Sequence, residues 1–332
     1  MIKIAVSLSG MPRNIEQCYQ NTLEFFDIDD AQVDFFIHCW SNSWYPSRVR
    51  SKSRTPETGE SYDQDELEKT ISNIYNPKTI KVENQLTNKD LLESIENIKQ
   101  AVIHRNDFDD LPKWLRTAVG SNLDHLFLSM PYHLAQTYSI SKTAEMIEED
   151  EESYDLVVRY RFDNYIELRD KEWRTKMFHD MVNLIKHAKT KIISGGTRDY
   201  LFVSWITVMG EEGYEDKNLI WIGDKIFACS KAKFSDFKLY FDTQVNKIIH
   251  FDPKKMNCSH IGVLLMPENT MNDMCTGKSF FVHSSGYLNK LSLISYRDYH
   301  LDLEQTFETL QREYTAREKN NHDSADGIVL GL

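Results

Sequence analysis

Three apolar runs in this chain end on residues that can hold an anion. Ile2 to Leu8 leads into Ser9-Gly10-Met11-Pro12-Arg13, and Val33 to Trp40 carries His38 and Trp40 and is followed by Ser41. The run within Tyr154 to Ile166 supplies Arg159, Arg161 and Asp163. A glycine turn can aim backbone N–H groups at a phosphate, and an arginine can grip the same group with two parallel hydrogen bonds. A plain structural turn would satisfy the Ser9 to Arg13 pattern equally well.

Asp163 is the sharpest of these residues. A carboxylate at the end of a core strand, with two arginines just before it, is costly unless every charge has a partner. One reading is a self-satisfied Arg–Asp network. The other turns Asp163 toward a diphosphate, directly or through Mg²⁺ or Mn²⁺, with an arginine neutralising phosphate charge. The Asp27/Asp29 and Asp63/Asp65 pairs fall at a helix end and a helix start, where capping and solvation explain them. His38, His260 and His283 are further polar candidates, though a lone histidine is more often a hydrogen-bonded structural residue.

The elements that must position these residues alternate between strand and helix. Ile2 to Leu8 and Val33 to Trp40 have buried-strand character. Between them Asn14 and Gln17 have capping-box spacing, and Ile15, Tyr19, Leu23 and Phe26 share a helical face. Asp63 with Glu66 opens a helix through Leu67, Ile71 and Ile74, ended by Pro77 before a strand at Thr79 to Val82. Leu91, Ile95, Ile98 and Val102 mark another helix. Thr137, Ile140, Ala144 and Ile147 mark one that runs into the acidic stretch Glu148 to Glu152. In the next strand, alternation places Arg159, Arg161 and Asp163 on one face and Tyr160 and Phe162 on the other.

Strands are then expected at Ile192-Ile193, Phe202 to Met209 and Leu219 to Ile222, a helix at Lys231 to Val245, and an amphipathic helix through Leu303, Phe307, Leu310 and Tyr314. The order predicts an α/β fold with a mostly parallel, doubly wound sheet. In such a sheet ligands bind beyond the carboxyl ends of the strands, where all three polar run-ends would lie.

Composition narrows the function classes. The chain has 332 residues, 41% apolar and 27% charged, which suits a globule of one large domain. Its 39 basic and 51 acidic residues give a formal charge of −12, which repels polyanions at long range. The local exception is Arg48, Arg50, Lys52 and Arg54, in a segment from Tyr45 to Glu60 that reads as a solvated loop or an acceptor-contacting lid. The five cysteines, Cys18, Cys39, Cys229, Cys258 and Cys275, are scattered and form no C-x-x-C pair, so neither a disulfide framework nor a zinc site is indicated. No run approaches the roughly 18 apolar residues of a membrane span, and Met1 to Gly10 is too short for a secretory leader. We expect a cytoplasmic protein, in a bacterium or in an infected host if viral, with no integral membrane segment.

Six segments together resemble GT-A-like glycosyltransferases of bacterial and viral capsule and lipopolysaccharide biosynthesis. They are KIAVSLSGMPRN at 3–14, VDFFIHCW at 33–40, YNPKTIKVE at 75–83, QTYSISKTAEMI at 136–147, YDLVVRYRFD at 154–163 and IGDKIFACS at 222–230. They occur in the family's order over roughly the first 240 residues. The resemblance implies a GT-A-like, Rossmann-like nucleotide-sugar-binding core at 1–240, followed by an acceptor-side, helical C-terminal extension at 241–316; residues 317–332, rich in Lys, Asn, Asp and Gly, read as a flexible tail. It implies a nucleoside-diphosphate sugar donor, UDP-linked, held by Ser9, Gly10 and Arg13 and by the helix carrying Tyr138, Ser139 and Lys142, with Arg159 and Arg161 neutralising phosphate charge.

Asp163 then stands where the family carries its metal- or diphosphate-facing acidic motif, although Arg161-Phe162-Asp163 replaces a full Asp-x-Asp. Asp224 is the candidate base for the acceptor hydroxyl, with Lys225 where the family commonly has glutamine; a helix cap or surface carboxylate is the bland alternative. The implied acceptor is a carbohydrate. A transferase acting on a hydroxymethylated DNA base, with Arg48 to Arg54 tracking phosphates, is the second reading, and an inert nucleotide-sugar-binding scaffold is the third.

Overall fold

The structure is a computed structural model that describes residues 1–13, 15–42, 61–103, 123–164, 168, 170–190 and 226–249. It also describes the strand segments 192–193, 196–197, 199–203, 206–208, 220–223, 263–265, 279–284 and 290–294. Among these, β1 (Ile2–Gly10), β2 (Ala31–Asn42), β3 (Thr79–Asn84), β4 (Leu156–Tyr160), β5 (Asp199–Val203), β6 (Ile226–Cys229), β7 (Ser279–Ser284) and β8 (Lys290–Ile294) form one sheet. Its order is β8-β7-β5-β6-β4-β1-β2-β3. The β1–β2, β2–β3, β1–β4 and β5–β7 pairings are parallel, while β6 runs antiparallel to both β4 and β5, and β8 to β7. This is the mostly parallel α/β sheet that the alternation predicts. Residues 206–208, 220–223 and 263–265 make a separate three-stranded sheet, so the single strand expected over Phe202 to Met209 is divided between two sheets.

The helices are α1 (Ile15–Phe25), α2 (Gln64–Tyr75), α3 (Lys89–Ile103), α4 (Leu123–Glu149), α5 (Lys171–Thr190), α6 (Lys231–Phe234) and α7 (Tyr240–Ile249). The Asp63 cap holds as expected, its carboxylate accepting from the Glu66 N–H at 3.0 Å. Asn76 in the left-handed region closes α2 one residue before Pro77. The helix expected at Lys231 to Val245 is instead α6, a 3₁₀ turn at Ser235–Leu239, and α7. Helix α5 was not singled out from the sequence, although Met177, Phe178, Met181, Val182 and Ile185 recur at helical spacing and are all buried. The expected helix at Leu303 to Tyr314, the Arg48 to Arg54 loop and His260 lie outside the described residues.

Strand alternation sorts the core into two unlike faces. Ile2, Ile4, Val6 and Leu8 of β1 join Phe35, Ile37 and Cys39 of β2 and Leu156, Val158 and Tyr160 of β4 in an apolar core with residues of α1, α2 and α5. The opposite face carries Ser7, Ser9, His38, Trp40 and Arg159, all buried, and it is covered by α4. Each buried polar group there needs a partner or a ligand, so the polar interior of the fold lies on the α4 side of the sheet.

The amino ends of the same strands are tied by charge. Lys78 Nζ lies 3.0 Å from the Asp150 carboxylate and 3.2 Å from the Tyr154 hydroxyl, which itself donates to Asp34 at 2.8 Å. Lys231 Nζ donates to the carbonyls of Asp150 and Glu152. The acidic stretch Glu148 to Glu152 thereby helps to anchor the entry to β4.

Candidate active site

The chain places β1, β2 and β3 outward in one direction and then returns to lay β4 on the other side of β1. That reversal opens a crevice beyond the carboxyl ends of β1 and β4. A cavity of about 80 Å³ occupies it, lined by Ser9, Gly10, Met11 and Arg13 after β1, Arg159, Arg161 and Asp163 at the end of β4, Trp40 of β2, Gln85 after β3, and Ala135 and Gln136 of α4. That is room for several waters or one phosphate-sized group, and well below the ~300–1,000 Å³ of a whole small-molecule site.

Gly10 ends β1 with φ +121°, a conformation that L side chains rarely adopt, although the space a Cβ would enter is open. Glycine is therefore required here by backbone geometry and not by crowding. The Arg13 N–H donates to the Met11 carbonyl at 2.8 Å, completing the tight turn that brings Arg13 to the cavity. Ser9 lies fully buried beside it, and its hydroxyl makes no hydrogen bond among the described residues.

On the other side of the switch, β4 ends at Tyr160, so Arg161 to Asp163 form a turn and the strand alternation does not extend through them. The Asn164 N–H donates to the Arg161 carbonyl at 3.3 Å, and the turn folds Asp163 back onto Arg161. Arg161 Nε donates to Asp163 Oδ1 at 2.8 Å and its Nη2 to Oδ2 at 2.6 Å. Both groups keep about a quarter of their side-chain surface exposed, at 24% and 23%. Arg159 is 1% exposed and its Nη2 donates to the Ser9 carbonyl at 3.3 Å. Burial would raise the Asp163 carboxyl, but the Arg161 charge and hydrogen bonds, aided by Arg13 and Arg159, outweigh it and hold the group below its ordinary value.

Behind the cavity lies a buried polar chain. His38 Nε2 is 2.9 Å from Glu83 Oε2, and its Nδ1 is 3.0 Å from Ser139 Oγ. Burial pushes the imidazole below its ordinary value against the upward pull of Glu83, so neutral His38 donates through Nε2 and accepts from Ser139 at Nδ1. Asn88 Nδ2 bridges Glu83 Oε1 at 3.2 Å and the Tyr138 hydroxyl at 3.1 Å, while Ser7 Oγ and Thr143 Oγ1 lie 2.6 Å apart. The Trp40 indole N–H donates to the Ala135 carbonyl at 3.1 Å, fixing α4 against the cavity.

The structure thus brings Ser9, Gly10, Arg13, Arg159, Arg161 and Asp163 to one cavity. Tyr138, Ser139 and Lys142 are placed elsewhere on α4. Tyr138 packs on Trp40 and Phe241, Ser139 bonds His38, and Lys142 pairs with Glu145 at 2.7 Å and sits over the Tyr138 ring. Gln136 and Gln85 reach the cavity without having been singled out from sequence. Gln85 carried a usable signal, because it follows the end of a parallel strand. Asp224 lies outside the described residues. Asp27 and Asp29 pair with Lys171, at 2.8 and 2.9 Å, consistent with their surface reading.

The donor set does not suit Mg²⁺ or Mn²⁺. Among the described lining residues Asp163 is the single carboxylate, both of its oxygens are gripped by Arg161, and a cation there would face three guanidinium groups. No protein-family model and no curated protein sequence matches the chain. No helix among the described residues is long and apolar enough to cross a membrane.

Proposed function

We propose that the chain is a glycosyltransferase of GT-A-like fold that transfers a sugar from a nucleoside-diphosphate donor, UDP-linked, to a hydroxyl of a carbohydrate acceptor. The observation that carries the reading is the meeting of the Gly10 turn with Arg13, Arg159 and Arg161 at the sheet's reversal, on a cavity of phosphate size. The resemblance carried by the six segments between residues 3 and 230 supplies the reaction class, and the mostly parallel sheet with a switch between β1 and β4 is compatible with it. Fold alone would not, because similar sheets host many reactions.

In the reaction, the acceptor oxygen forms a bond to the anomeric carbon while the bond from that carbon to the donor phosphate oxygen breaks. The electron pair leaves with the diphosphate, and the hydroxyl proton passes to a base, for which Asp224 is the candidate. The diphosphate gains one negative charge in this step. Arg13, Arg159 and Arg161 stabilise that charge, and they do so more strongly in the transition state than in the bound donor.

Calorimetry with a panel of nucleotides and nucleotide sugars, followed by assay of slow donor hydrolysis, tests the reading. Binding of at least one nucleotide sugar, weakened by Arg13→Ala, is expected. A folded protein that binds no member of the panel would overturn it.

A further inference from the structure

The ionised groups lining the cavity are Arg13, Arg159, Arg161 and Asp163, a net local charge of +2 within a chain of formal charge −12. A sugar nucleotide carries one negative charge on each of its two phosphorus centres, so the charges match without any added cation. Guanidinium groups do not deprotonate at working pH, and their planar forks suit phosphate oxygens. The Gly10 turn and the buried Ser9 hydroxyl supply neutral donors beside them.

A divalent cation would have to compete with Arg161 for the carboxylate. The Arg161–Asp163 contact is bidentate and short, and the lining offers no second carboxylate among the described residues to offset the repulsion from three arginines. The same contact has a positive use. It fixes the plane of the Arg161 guanidinium at the cavity wall.

We infer that this cavity binds the donor diphosphate through Arg13, Arg159 and Arg161 without a divalent cation, and that Asp163 is a positioning residue for Arg161 and not a metal ligand. The inference rests on the nucleotide-sugar reading for the identity of the donor, but not for the anion site itself.

The test is equilibrium binding of UDP, other nucleoside diphosphates and inorganic pyrophosphate to the full chain, in chelator and in Mg²⁺ or Mn²⁺, with wild type, Arg161→Gln and Asp163→Asn. Nucleotide affinity in chelator should lie within about threefold of that with metal, and Arg161→Gln should weaken it by about tenfold or more. Asp163→Asn should keep the chelator affinity or raise it up to about tenfold, because it removes a negative charge from the cavity. Binding that requires metal and disappears in Asp163→Asn would overturn this inference and leave the glycosyltransferase reading standing. Pyrophosphate binding in chelator with no nucleotide bound would support the anion site and remove the glycosyltransferase reading. Absence of all binding by folded protein would overturn both.

Discussion

The guanidinium of Arg159, on β4, donates to the carbonyl of Ser9, on β1, at 3.3 Å, while the two strands pair in parallel with Arg159 opposite Ser7. A buried positive charge therefore spans the reversal point of the sheet, directly beneath the cavity. It lies between two core strands and also lines the cavity, so a structural and a ligand-binding role must be told apart.

Replacement separates the two roles. In Arg159→Met the charge disappears together with its desolvation cost, so the stability change should stay within about 2 kcal/mol in urea unfolding. Nucleotide binding should fall by about tenfold or more, since a charge-assisted contact to the ligand goes with it. Arg159→Met that unfolds the chain would show that the arginine is there for the sheet. Normal binding in a folded variant would remove it from the site.

Asp163→Asn carries a different signature. The Arg161–Asp163 pair is partly exposed, so its loss should cost about 1 kcal/mol or less in thermal or urea unfolding. Turnover should fall by at least about tenfold, because the Arg161 fork loses the contact that sets its plane. A large loss of stability with near-normal turnover per folded molecule would return Asp163 to the structural network that the sequence also allowed.

Which parts of the site could be read from the sequence follows from how each residue is positioned. Ser9, Gly10, Arg13, Arg159, Arg161 and Asp163 were legible because an apolar run ending on polar residues locates the carboxyl end of a core strand, and parallel strands bring those ends together. Tyr138, Ser139 and Lys142 lie on a helix, where each residue turns the side chain by about 100°. Ala135 and Gln136 face the cavity and the later residues serve the buried network, a difference set by the rotation of α4 against the sheet, which no local pattern records. The fold suffered similarly where pairing is non-local. The antiparallel insertion of β6 between β4 and β5 and the splitting of the expected strand at 202–209 between two sheets depend on which partner each segment finds.

Gly10→Ala is a test of backbone geometry. Nothing lies within 4 Å of the position that an added Cβ would take, so crowding predicts no effect. The φ of +121° predicts a loss of about 1–3 kcal/mol in urea unfolding, with a local shift that also weakens nucleotide binding. An alanine variant as stable as wild type would mean that the turn does not hold this conformation in solution.

Buried His38 and its partly buried partner Glu83 contribute to the acid side of the stability profile. Burial, outweighing the pull of Glu83, holds His38 below its unfolded value of 6.5, so the unfolded chain binds a proton at this site before the folded chain does. Its contribution is fully present above that value and is lost as pH falls through the folded one. Burial would raise Glu83, but the hydrogen bond from neutral His38 and the hydrogen bond and charge of Lys81 hold it below 4.5, so its contribution is present above 4.5 and is lost on further acidification. Both effects have the same sign: stability should decline from about pH 6.5 downward and more steeply below about pH 4.5. Urea midpoints measured across this range check it. His38→Gln should lower stability at pH 7, since it disturbs the Ser139 and Glu83 contacts, and should reduce the slope between about pH 6.5 and 5, where His38 takes up a proton on unfolding. A wild-type profile that is flat from pH 7 to 5, or a His38→Gln profile with unchanged slope there, would show that the imidazole is not held neutral.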